Sequence, residues 1–355
     1  MRVCFFGAWD PAYPRNRILR EGLRRAGVTV VEVRAPERRV LRRYPALLAG
    51  GLAAAREADL VLVPEFRHKD VPLARLIAGR RPVVFDPLVS RWDTLVGDWG
   101  LHAAGSGQAR WNRAIDRWSF GAADRVLCDT WAHGALFESL GAPRAKLARV
   151  PVGAEDPFFA VGPPDPAPPV RIVYLGGFLP LHGVPVLIEA LAALEKQAAR
   201  LPAYRAVLFG RGIDWARARE MAEAASLEHV EFPGSVDYEG APRLMAEAHV
   251  VLGAFGAGAK AGRVVPHKVY QGLAAGRAVV TGDGEGLREF FDPGTEVVAV
   301  PRGDAAALAE ALARLVRDAD LRARVAAAGR ARALTFATVE RIGSTLRDVL
   351  AETLA

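Results

Sequence analysis

The sequence predicts an α/β protein made of two Rossmann-like domains, each a doubly wound parallel sheet. Three observations carry this. Short apolar runs alternate with segments of helical periodicity along the whole chain, as strands buried on both faces by crossover helices do. A length of 355 residues is too long for one ordinary core and suits two domains of about 150–200 residues each. The segment 161–169, VGPPDPAPP, is the strongest linker signal and sets the boundary, giving domains at 1–162 and 163–337 followed by a terminal helix at 338–355.

Composition narrows the class. Hydrophobic residues make up 51% of the chain, yet no apolar run approaches the roughly 20 residues of a membrane-crossing helix. The first strand is too short for a signal peptide and meets Asp10 and Pro11 at once. Cys4 and Cys128 fall inside predicted strands as buried thiols, so a reducing, cytoplasmic setting is expected, with a peripheral place at the inner face of a membrane as a further option. A net charge of +7 suits an anionic partner: a membrane surface, a nucleic acid or a diphosphate. Nucleic acid is not expected, because no basic stripe is interleaved with exposed aromatics.

In the first half, residues 2–7 form a strand and 16–26 an amphipathic helix closed by Gly27. The loop between them, WDPAYPRN, stands at the carboxyl end of a strand, where doubly wound folds place ligands. Asp10, Arg15 and Asn16 are its polar candidates, with Asn16 also suited to cap the helix. A strand at 28–33 precedes a basic segment at 37–43, read as solvated, with lipid head groups as the alternative. Helices at 46–57 and 71–78 alternate with strands at 60–64 and 82–85, after which Asp86 either turns the chain with Pro87 or serves a site. The segment 92–107, with Trp99 and His102, is a packed or ligand-contacting loop. Helix 110–122 carries Trp111 and Trp118 seven residues apart, assigned to core or interface, and strand 124–129 and helix 133–140 follow.

The second half opens with a strand at 171–175 and the turn GGFLPLHGVP, which contains Gly177 and His182. Strands at 206–209 and 230–232 lead into GRGIDW and PGSVDYE, and helices occupy 216–225 and 241–248. The stretch that organises the rest is 263–276, RVVPHKVYQGLAAG, after a strand at 250–252 and a glycine-rich loop at 253–262. Pro266 reads as the first helical residue, where its missing N–H is harmless. Unpaired N–H groups, the helix dipole and Lys268 then make an anion site, with Gln271 one turn on. Lysine is scarce, at Lys69, Lys146, Lys196, Lys260 and Lys268 among 47 basic residues, so its place here is informative. A further strand follows Gly276, Glu285 and Glu289 are unspecific polar candidates, a strand occupies 297–300, and helices occupy 305–316, 321–332 and 338–354. Asp318 and Asp320 read as a helix cap and not as metal ligands.

YPRN, the glycine turn near His182 and PHKVYQ together resemble the retaining glycosyltransferases of family 4, whose fold is called GT-B, and most closely a branch with a proline-x-lysine step at this helix start. The resemblance covers almost the whole chain. It implies two Rossmann-like domains facing a cleft, with the terminal helix crossing back onto the first. It departs from the family pattern at Arg263 and Gln271, where family members carry two glutamates, and at Gly177 and His182, where they carry an arginine and a lysine against the leaving diphosphate. Lys268, Arg263 and a protonated His182 are the compensating cations. The implied catalytic group is Arg15, Asp86 and His182; the implied donor-binding set is Gly177, Gly210, Arg211, Ser235, Val236, Arg263, Val264, Val265, Lys268 and Gln271.

The function so implied is retaining, metal-independent transfer from a UDP- or GDP-sugar, with no permanently bound cofactor, onto a saccharide, lipid-linked or small-molecule acceptor, with peripheral contact to anionic membrane as an option. A nucleotide-sugar epimerase and an inactive binding scaffold are the rival classes.

Overall fold

The structure is a computed structural model that describes residues 1–37 and 39–355; Arg38, in the basic 37–43 segment, lies outside the described residues. In chain order the first elements are β1 (Arg2–Gly7), α1 (Pro14–Arg25), β2 (Thr29–Arg34), α2 (Val40–Glu57), β3 (Leu60–Val63), α3 (Val71–Ala78), β4 (Val83–Phe85), α4 (Gly107–Ala122), β5 (Arg125–Cys128), α5 (Trp131–Ser139) and β6 (Leu147–Arg149). Then come α6 (Asp156–Phe159), β7 (Val170–Leu175), α7 (Val184–Glu195), β8 (Tyr204–Phe209), α8 (Trp215–Ala224), β9 (Val230–Gly234), α9 (Ala241–Glu247) and β10 (Val250–Leu252). The chain ends with α10 (Ala259–Arg263), α11 (His267–Ala274), β11 (Ala278–Gly282), α12 (Glu285–Arg288), β12 (Val298–Val300), α13 (Ala305–Arg317), α14 (Ala319–Phe336) and α15 (Val339–Leu354).

Two six-stranded sheets result, ordered β2-β1-β3-β4-β5-β6 and β12-β11-β10-β7-β8-β9, and their strand pairings are parallel. The first sheet is apolar on both faces because both are covered. Cys4, Phe6, Val61, Val63, Phe85 and Val126 pack with α2, α3, α4 and α5, whereas Val3, Phe5, Leu60, Leu62 and Leu127 pack with α1 and α15. In the second sheet Ile172, Tyr174, Leu208, Val250 and Leu252 pack with α7 and α13. Side chains cap the helices where the sequence supplies them: Ser106, Thr130, Asp304 and Asp318 accept from the third following N–H.

The chain divides into two compact units, residues 1–152 with 339–355, and residues 153–338. The boundary is at Val152 and not at the proline-rich segment, because that segment is tied into the second unit. Arg277 donates to Gly162 O at 2.6 Å, and the His249 ring bonds Asp165 O at 2.6 Å. Four local expectations also change. Helix α2 begins at Val40, with Pro45 inside it, so Arg43 is drawn into the core and pairs with buried Asp70. The 253–262 loop contains the short helix α10, and Pro266 is the N-cap of α11, one residue before the helix. Asn16 is the third residue of α1, whose N-cap is Tyr13.

The terminal helix α15 buries Ile342, Leu346 and Leu350 against the α1 face, each worth about 1.5–3 kcal/mol. Glycines permit the approach. A Cβ on Gly343 would lie 2.1 Å from Gly22 O, and one on Gly22 2.7 Å from Gly343 Cα. Gly343→Ala is therefore expected to lower the unfolding free energy by about 1–3 kcal/mol in urea titration. Gly121→Ala, where a Cβ meets nothing within 4 Å, should leave it unchanged or raise it by up to about 1 kcal/mol.

Candidate functional site

In the second unit, β7 ends in a turn whose shape demands glycine. Gly176 has φ +152°, and a Cβ there would lie 2.7 Å from Lys268 Nζ; Gly210, after β8, has φ +137°, and its Cβ would lie 1.8 Å from Gly176 O. The backbones after β7 and β8 thus touch at the carboxyl ends of adjacent strands. Gly183, with φ +61°, lets the start of α7 approach Gly256, where Phe255 N–H donates to His182 O at 2.9 Å.

Into this turn projects Lys268, the second residue of α11. Its side chain is 4% exposed, its Nζ has no hydrogen-bond partner, and it stands 3.7 Å from the centre of the Tyr174 ring. Burial holds its ammonium well below the usual lysine range. The Tyr174 hydroxyl donates to Gly177 O at 2.5 Å and lies 3.1 Å from His182 Nδ1. His182 Nδ1 also bonds Gly177 O; that oxygen only accepts, so Nδ1 carries the proton. Burial first, then Lys268, push the imidazole well below the usual histidine range. His182 is therefore neutral, which corrects its expected role as a cation. Lys260, buried on α10, also acts on His182 and is a cation that sequence reasoning left unassigned.

Farther along α11, Gln271 is buried and its Nε2 donates to Glu155 Oε2 at 3.4 Å. A carboxylate thus stands beside position 271, from a residue 116 positions away. Arg263, Val264 and Val265 lead from α10 into the same helix, with Arg263 half-buried. Arg211 stacks on Trp215 at 5.0 Å, while Ser235 is exposed and Val236 half-buried after β9.

The first unit gathers its own polar group at the carboxyl ends of β1, β3 and β4. Arg15 and Asp86 are 0% and 1% exposed and form a forked pair: Nε donates to Oδ2 at 2.9 Å and Nη2 to Oδ1 at 3.2 Å. Arg15 Nη1 also donates to Val150 O at 3.1 Å and Pro151 O at 2.6 Å. Losing either partner of such a pair costs about 3–5 kcal/mol. Asn16 donates to Asp10 O at 2.7 Å.

Glu65, just after β3, went unassigned although it has the same signal as Asp86, a carboxylate at the end of an apolar run. It is fully buried, and its carboxyl is pushed up to about 8 by desolvation first and the Asp86 charge second, with Arg67 and Asn16 opposing. The residues that follow both carboxylates are strained: Phe66 has φ +60° and Leu88 φ +56°, and Phe66 N–H donates to Pro87 O at 3.3 Å, tying the two loops. Among the described residues, no three His, Cys, Asp or Glu side chains converge as a metal site. Among them, too, no helix is long and apolar enough to cross a membrane.

Residues 1–153 match the glycosyl transferase 4-like domain family, and residues 189–348 match a family described as glycosyl transferase-like. Two glycosyl transferase models thus account for residues 1–153 and 189–348. The chain is 33% identical to a phosphatidyl-myo-inositol mannosyltransferase of Mycobacterium leprae, over 44% of this chain and 40% of that protein. It is 30% identical to a putative colanic acid biosynthesis glycosyltransferase, WcaL, of Escherichia coli, over 53% of this chain and 46% of that one. The match thus spans less than half the length of these relatives. Among solved structures, Anabaena HepE in complex with UDP and glucose aligns with a TM-score of 0.72 at 18% identity, covering 99% of this chain and 100% of that one. Sucrose-phosphate synthase from Thermosynechococcus elongatus aligns with a TM-score of 0.74 at 16% identity, covering 99% and 98%. These structures place the glycosyltransferase chain in the GT-B fold.

Glu65 gives a pH signature. Between its ordinary value of 4.5 and about 8 the folded protein holds a proton that the unfolded chain releases, so stability from this group is complete below 4.5 and declines as pH rises through 8. Glu65→Gln removes that dependence. Its melting temperature should exceed the wild type's at pH 8, with the difference closing toward pH 4.5.

Proposed function

We propose that the protein transfers a sugar from a UDP- or GDP-sugar to an acceptor hydroxyl, with retention at the transferred centre and with protein cations, not a bound metal, meeting the leaving diphosphate. One observation carries the reading: Lys268 Nζ, buried without a hydrogen-bond partner, beside a turn whose glycines leave room for an anion. A buried ammonium of this kind is stabilised when an anion arrives, and it takes up its full charge as the diphosphate binds. Lys260 and Arg263 add positive charge from α10, and the start of α11 adds its dipole. Neutral His182 holds the turn through Gly177 O and presents its other ring nitrogen as an acceptor.

Gln271 and Glu155 receive the ribose hydroxyls, the carboxylate supplying the charge-assisted acceptor. Arg211, Gly210, Ser235 and Val236 lie toward the nucleoside, and Val264 and Val265 line the approach to Lys268. On the acceptor side, Asp86 is oriented by Arg15. Solved complexes of HepE with UDP and with UDP-glucose support a nucleotide-sugar donor. The mannosyltransferases named for phosphatidyl-myo-inositol support a lipid-linked acceptor. The buried thiols of Cys4 and Cys128 suit a reducing cytoplasm.

A thermal-shift titration with UDP, GDP and their sugar conjugates tests this, since a ligand of the folded state raises its stability. One nucleotide should raise the melting temperature, and Lys268→Ala should weaken its binding roughly ten- to hundredfold without lowering the melting temperature of the free protein. No shift with any nucleotide would move the protein to an inactive scaffold, and turnover of the donor without an acceptor would make it an epimerase. Unchanged affinity in Lys268→Ala would remove the lysine from the diphosphate site.

A further inference from the structure

The helix layers on the two faces of the first sheet differ in their outer surfaces. On one face, α1 and α15 carry arginines neutralised by carboxylates: Arg20 and Arg24 bond Glu32, and Arg25 bonds Glu21 and Glu340. Among the described residues, the large apolar side chain this layer exposes is Leu354 at its end. On the other face, α2 packs beside α3 and α3 beside α4. There Leu41 is 89% exposed, Leu76 72%, Trp111 62% and Trp118 56%, and Leu48 and Leu52 on α2 are also exposed. Trp111 and Trp118, expected in core or interface, are thus outside the core.

Cations accompany these apolar groups. Arg39 and Arg42 flank Leu41, and Arg110, Arg113 and Arg117 share the outer face of α4 with the tryptophans. The carboxylate of that helix, Asp116, is turned inward, where it accepts from Ser90 Oγ at 2.7 Å and from Trp92 N–H at 2.8 Å. The outer face of α4 therefore carries tryptophan and arginine with no carboxylate among them.

We infer that the outer surface of α2, α3 and α4 docks on an anionic lipid bilayer. The apolar groups are spread over three helices, the longest about 27 Å long, and not sunk in one groove, which suits a broad fluid surface. Tryptophan settles at head-group depth, and the arginines beside it, which share the α4 face with no carboxylate, meet lipid phosphates. This deepens the proposed function by naming where a lipid-linked acceptor is met, but its readout needs no nucleotide.

The full-length protein is sedimented with phosphatidylcholine vesicles with and without phosphatidylglycerol. It should partition onto the anionic vesicles with a blue shift in tryptophan fluorescence. Trp111→Ala with Trp118→Ala should weaken partitioning at least about tenfold. Arg110→Gln with Arg113→Gln and Arg117→Gln should weaken it about a hundredfold and abolish the preference for phosphatidylglycerol. These exposed changes should leave the melting temperature and the nucleotide-dependent shift intact. Failure of the wild type to bind anionic vesicles, or binding that neither variant weakens, overturns the inference. Binding to oligonucleotides instead, or self-association through this face without vesicle binding, overturns it in favour of those partners. A missing nucleotide shift in a vesicle-binding protein would fault the donor reading alone.

Discussion

The second unit is arranged around a charge with nowhere to go. A buried ammonium without a hydrogen-bond partner costs several kcal/mol unless an anion is supplied, and the surroundings of Lys268 are built to hold it in that state. Tyr174 lends only its ring face. The tyrosine hydroxyl and the His182 Nδ1–H both donate to Gly177 O, and neither bonds the lysine. The glycines at 176, 183 and 210 follow from the same requirement, since side chains there would fill the space beside Nζ or separate backbones that must touch. Stability is given up locally, and an electrostatic attraction for an anion is thereby held ready, as preorganised sites require.

The first unit treats charge in the opposite way. Arg15 is saturated: its guanidinium holds both oxygens of Asp86 and the carbonyls of Val150 and Pro151, joining the ends of β4 and β6 to the start of α1. Asp86 thereby becomes part of the frame of its pocket, while the carboxyl of its neighbour Glu65 is pushed up to about 8, by desolvation first and the Asp86 charge second.

The architecture was legible in the sequence because strands buried on both faces leave unbroken apolar runs, and because proline and glycine punctuate the helices between them. Lys268 was legible for a related reason, as a scarce residue at a helix start after a glycine loop. The boundary at Val152 was not legible: a proline-rich stretch looks like a linker until the long-range bonds from Arg277 and His249 are known. Nor was Glu155, whose partner Gln271 is distant in the chain, or the neutrality of His182, which depends first on its own burial and then on the Lys268 charge beside it. Strand and turn signals are local, but protonation and pairing depend on contacts formed across the fold.

The position of α15 bears on how the chain comes into being. The second unit is continuous, residues 153–338, whereas the first needs residues 339–355 to cover one face of its sheet. During synthesis the second unit can close before α15 has left the ribosome, while the α1 side of the first waits with Ile18, Leu19 and Leu23 uncovered until α15 emerges. The usual amino-to-carboxyl order of maturation is thereby inverted, and a nascent chain halted just short of α15 would present that apolar face to chaperones.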